Sequence, residues 1–135
     1  MRYYKLVYDY EQDDNYVNCD VARIGNMNEY ITSSGEEIKQ WSEVVFEYDS
    51  TEGNVLTDYL ANLYSWFVVS ENFCNMTRKM LEGQVQYLPI RVIDRFTEIR
   101  VDSYSVANIV TLIDALDLNN SKYDVFELDG EKIVF

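Results

Sequence analysis

The chain has 135 residues, of which 47% are apolar and 15% aromatic, so it is long enough for one domain with a core and far too apolar to be disordered. Its 24 acidic and 11 basic residues leave a net charge of −13, a field that repels nucleic-acid phosphates and attracts basic surfaces. It has no histidine, which removes the commonest general base, the usual zinc ligand and any Ser-His or Cys-His pairing.

The opening run Tyr3-Tyr4-Lys5-Leu6-Val7-Tyr8 is β-prone and predicts a first strand. The chain turns acidic within nine residues, so the start is no signal peptide and a cytoplasmic protein is expected. YVNCDVARI is a weaker strand candidate, and residues 25–42, with two of the five glycines, read as loop. SEVVFEYDS alternates acidic and apolar residues as a half-exposed strand does. In NVLTDYLANLY, residues Val55, Leu56, Tyr59, Leu60 and Leu63 have the spacing of one helical face and predict a short amphipathic helix over 54–64. WFVVS follows as a short buried strand.

The strongest local signature lies in SENFCNMTRKMLEG, residues 70–83. Ser70 suits a helix N-cap, Glu71 the positive end of the dipole, and Gly83 the stop. QVQYLPIRVID reads as a strand whose Pro89, lacking an N–H, belongs at an edge or bulge. Residues 104–118 combine a β-like opening with apolar spacing that turns helical, burying Val110, Leu112, Ile113 and Leu116. Asp129-Gly130 between two β-prone runs predicts a C-terminal β-hairpin. The expected fold is α+β: a single domain over 1–135, with a mixed or antiparallel sheet and two or three helices. The chain stops on Ile133-Val134-Phe135, in mid-strand by this reading, which favours a protein that continues beyond it over a last strand docked inside a sheet.

Chemistry has few places to reside. Cys19 and Cys74 are expected to be reduced, inert thiols, as a cytosolic setting and the burial habits of free cysteine imply. The run VTLIDALDLNNSKY sets Asp114 and Asp117 three apart. A calcium loop starting at Asp117 would require Gly at 122 and Glu at 128, where the chain has Lys122 and Leu128. As a catalytic pair the two carboxylates lack partners in other roles, whereas Asn119, Asn120 and Ser121 suit a turn. No catalytic residue, metal ligand or cofactor site is assigned.

Four stretches carry a resemblance: YYKLVYDYEQDD, WFVVSENFCNMTRKMLEG, VQYLPIRVID and YSVANIVTLIDALDLNNSKYDV. In this order they resemble a bacterial immunity-protein family of polymorphic toxin systems, the one numbered eleven in the immunity-protein series. From residue 54 onward the likeness spans most of the chain, while 20–53 matches nothing that can be placed. Family members usually run on past the equivalent of Phe135, so the resemblance implies a domain cut short at its C-terminus. It also implies a non-enzymatic protein that binds and neutralises a cognate toxin; it brings no catalytic residues.

An acidic domain suits a toxin with a basic surface, since complementary charge speeds encounter. The first sixty residues hold 13 of the acids against 4 basic residues. Candidate partner-binding residues there are Asp13, Asp14, Glu36, Glu37, Glu47, Asp49 and Glu52, with Trp41 and Tyr48 as aromatic anchors. For each, the competing reading is an ordinary solvated surface residue. Neither direct nucleic-acid binding nor membrane association is expected. The alternative function is an acidic mimic of nucleic acid that blocks a DNA- or RNA-binding protein, which requires carboxylates arrayed at duplex-like spacing on one face.

Overall fold

Two short strands, β1 (Asn18–Cys19) and β2 (Val21–Arg23), are separated by Asp20 alone, and the sheet uses them at opposite ends. In the computed structural model, which describes residues 7–8, 15–112 and 119–120 with the backbone of 125–128 and 131–134, β1 pairs parallel with β4 (Tyr59–Asn62), Cys19 lying opposite Asn62. Strand β2 pairs antiparallel with β3 (Val45–Tyr48), Ala22 lying opposite Phe46. The remaining members are β5 (Val68–Ser70), β6 (Val85–Asp94) and β7 (Arg100–Ile109). The order β1-β4-β5-β7-β6-β3-β2 therefore begins and ends on the same stretch of chain, and the sheet curls into a nearly closed barrel. Only the two- and three-residue strands β1 and β2 stand at the ends of the sheet, and edges this short offer little for another chain to pair with.

The expected α+β fold with two or three helices is corrected here. Among the described residues the sheet carries the fold, with one α-helix, α1 (Glu71–Thr77), and one 3₁₀ turn at Ile31–Ser33. Strands β8 (Val125–Leu128) and β9 (Glu131–Val134) pair antiparallel as a two-stranded sheet of their own, not as part of the barrel; residues 129–130 between them lie outside the described residues.

The helix expected over 54–64 is instead a loop leading into β4. Of its apolar stripe only Leu60 is fully buried, at 0% exposure, while Val55, Leu56 and Leu63 are exposed. Non-local hydrogen bonds replace the helical ones. Asn54 N and Val55 N both donate to Asn15 O at 2.9 Å, and Val17 N donates to Val55 O at 3.0 Å. Helical spacing is a weak preference, and pairing with a distant strand overrides it. Gly53 makes this approach possible, because a Cβ there would stand 2.5 Å from Tyr16 O.

Helix α1 starts where its N-cap predicts but ends at Thr77, short of the expected stop at Gly83. Ser70 Oγ accepts from Phe73 N at 3.1 Å, Glu71 occupies the first turn, and Gly83 adopts a φ of +73° after a further run of turns. Cys74 and Thr77 are buried on its inner side, with Cys74 packed in a small cluster with Val69 and Ala107.

Strands β6 and β7 form the long hairpin of the barrel. Leu88, Ile90, Val92 and Asp94 alternate inward along β6, as strand geometry requires. Pro89 stands beyond the reach of β3, whose pairing with β6 starts at Arg91, and just before a register shift between Ile90 and Val92. The barrel core gathers Val17, Phe46, Leu60, Trp66, Val68, Val92 and Val106. Leu112, expected inside, is 74% exposed against Gly35, and Val110 is only half-buried. Ile113 and Leu116 lie outside the described residues, as do Asp114 and Asp117.

Candidate functional site

One end of the barrel collects the turn after β3, the bend between β1 and β2, and the β6–β7 hairpin tip, residues 95–99. Asp94 ties them together. Its carboxylate accepts from Ser50 N at 3.1 Å, Phe96 N at 3.0 Å and Thr97 Oγ1 at 2.5 Å. Its main chain closes the hairpin, with Asp94 N donating to Ile99 O and Glu98 N donating to Asp94 O. Burial by itself would raise the pKa of this carboxyl; the hydrogen bonds from Thr97, Ser50 and Phe96 outweigh it and hold the group well below the usual carboxylate range.

Arg95 lies at the centre of the charge. Its main-chain N donates to Tyr48 O at 2.8 Å, and its guanidinium grips both oxygens of Asp20, at 2.7 and 3.2 Å. That bond lowers the Asp20 pKa, and Asp49 and Glu47 add to the field that raises Arg95 above its ordinary value. Glu47 pairs with Arg23 at 2.8 Å. Asp49 caps its own turn, accepting from Thr51 N at 2.9 Å and Thr51 Oγ1 at 2.6 Å, which lowers its pKa. Glu52, in the turn after β3, and Glu98, in the hairpin tip, are exposed. The local charge is negative, and most of its carboxylates are occupied as caps or ion-pair partners.

Four sequence candidates, Glu47, Tyr48, Asp49 and Glu52, thus come together. Tyr48 is buried in the core and offers little surface. Glu36 and Glu37 are exposed near the opposite end of β6, where Glu36 O accepts from Asn108 Nδ2. Gln86, which bonds Ile38 there, precedes Asp94 by eight residues, a separation of roughly 25 Å along the strand. Trp41 is half-buried between these ends, 6.0 Å from Trp66 ring to ring, and its Nε1 donates to Pro89 O at 2.9 Å. Asp13 and Asp14 lie outside the described residues.

Sequence reasoning missed Asp20, Asp94, Arg95 and the exposed tip residues Phe96 and Ile99. A signal was present in DRFTEI: an Asp followed by a Thr three residues later, after a β-prone run, is a side-chain-capped turn.

The two thiols are free and buried. Burial, helped by Asp20, pushes Cys19 up to about 12, and burial also raises Cys74. The folded chain at pH 8 should therefore react with iodoacetamide at Cys19 at least about a thousandfold more slowly than the guanidinium-unfolded chain. Mass spectrometry of timed aliquots checks this, and equal rates would refute it. Among the described residues no three of Cys, Asp and Glu are grouped to hold a metal, and no helix is long and apolar enough to cross a membrane.

Comparison with known proteins gives one family. The family model described as "Immunity protein family (Imm11)" matches residues 3–133, nearly the whole chain. Among curated proteins none matches.

Proposed function

This chain belongs to the immunity protein family Imm11, and from that membership we propose that it binds and neutralises a cognate bacterial toxin without chemistry of its own. The family match carries the reading. The net charge of −13 and the acidic barrel end support a partner with a basic surface, because opposite charge accelerates encounter. The protein acts in the cytoplasm of the cell it protects, as part of a polymorphic toxin system, and takes neither nucleic acid nor membrane as its partner. Asp49 and Glu52 on the barrel end, and Glu36, Glu37 and Trp41 farther along, are the surface groups it offers.

Co-expression tests the reading. The toxin domain encoded by the adjacent gene should arrest growth alone and lose that effect when this chain is present. Continued arrest with every neighbouring toxin would remove the immunity reading. The association rate of the purified pair should fall by about tenfold or more between 50 and 500 mM salt. A rate indifferent to salt would show that charge does not guide the encounter.

A further inference from the structure

We infer that the β6–β7 hairpin tip enters the toxin, placing Phe96 and Ile99 in an apolar pocket rimmed by basic side chains. The inference rests on the immunity reading and names the part of the surface that performs it.

Phe96 is 68% exposed and Ile99 62% exposed. Two large apolar side chains at one turn tip are poorly placed in water, and single scattered ones would call for no account. The tip is also rigid by construction. Three hydrogen bonds converge on the Asp94 carboxylate, two more close its main chain, and Arg95 is held on both its backbone and its guanidinium. Glu98 is kept at a φ of +59°, a conformation that side-chain-bearing residues rarely adopt and that the surrounding bonds impose. An anchor fixed before binding loses little freedom on docking, which is how a few residues come to dominate an interface.

The charge around the tip selects the occupant. Asp20, Glu47, Asp49, Glu52 and Glu98 outnumber Arg23, Arg95 and Arg100 at this end. A second copy of the chain would bring the same negative field against it, and an anionic bilayer would repel it. A basic protein partner is attracted. Met76 and Met80 are as exposed, but they flank Arg78 and Lys79, the wrong surroundings for a basic surface.

The test uses the full chain and the toxin domain encoded by the adjacent gene. Phe96→Ala with Ile99→Ala should weaken binding by about 30-fold or more while the thermal midpoint stays unchanged, and Met80→Ala should bind as the wild type does. If the wild type binds and protects while the double variant does both equally well, the hairpin is not the anchor and the inference fails alone. If the wild type binds no neighbouring toxin, the immunity reading fails and takes this inference with it. If the wild-type chain by itself sediments as a dimer that the double variant abolishes, the occupant is a second copy and the inference is overturned.

Discussion

Replacing Trp66 with alanine is expected to cost the folded chain about 3–5 kcal/mol, a large share of the roughly 5–15 kcal/mol that holds a domain folded. Trp66 is 2% exposed and stands among three rings: Tyr64 at 5.4 Å, Phe46 at 5.9 Å and Trp41 at 6.0 Å between centroids. Its Nε1 donates to Glu29 O at 2.7 Å, pinning the 25–42 loop to the barrel. Asn62 holds its main chain on both sides, accepting from Trp66 N and donating to Trp66 O. Alanine would leave a cavity and an unpaired carbonyl at Glu29. Phenylalanine would fill most of the space and lose chiefly the hydrogen bond, at about 1–2 kcal/mol. Urea unfolding of the two variants separates these contributions. A Trp66→Ala midpoint equal to that of Trp66→Phe would mean that the ring cluster is not what holds the loop.

The second large effect is at Asp94. Asn in its place keeps one neutral acceptor oxygen and puts an NH2, which cannot accept, where Oδ2 takes the Thr97 hydroxyl, so the fastening shared by the hairpin tip and the Ser50 turn is weakened. The thermal midpoint should drop by roughly 5 °C or more at pH 7. The effect has a definite pH dependence. The folded-state pKa of Asp94 is depressed, so its contribution is complete above the unfolded value near about 3.9 and is lost as pH falls toward the folded value. The gap between wild type and Asp94→Asn should therefore be constant from pH 5 to 8 and narrow progressively as pH falls below about 4. A gap that persists unchanged in acid would place the stabilisation somewhere other than the carboxylate.

Much of the barrel was readable from local pattern. Ser70 starts α1, although the helix ends at Thr77 and not at Gly83; alternation marks β6, while β3, read as half-exposed, is buried at three of its four residues; and Pro89 falls beside an irregularity in the ladder, as its missing N–H requires. The resemblance carried by WFVVSENFCNMTRKMLEG and its neighbours agrees with the family match over 3–133. What local pattern could not contain is closure. The strands on either side of Asp20 span two and three residues, too short for periodicity, and each takes its meaning from a partner far along the chain. The same competition turned the helical stripe of 54–64 into a loop and β4. Acidic composition picked out Asp49 and Glu52 as candidates but could not separate an acid facing solvent from one, such as Asp49, committed to a cap. It also passed over the apolar tip, since Phe96 and Ile99 look like ordinary core residues until the hairpin places them outside.

Strand β7 is the last barrel strand to be synthesised, yet it lies in the middle of the sheet, between β5 and β6. A growing chain that has not yet delivered residues 100–109 holds only two arcs, β1-β4-β5 and β6-β3-β2, joined through Asp20. Until it arrives, β5 and β6 each lack the neighbour that joins the two arcs. The tip that precedes β7 needs nothing from it, because Asp94 N and Ile99 O, which close the hairpin, and the partners Ser50, Tyr48 and Asp20 all come earlier in the chain.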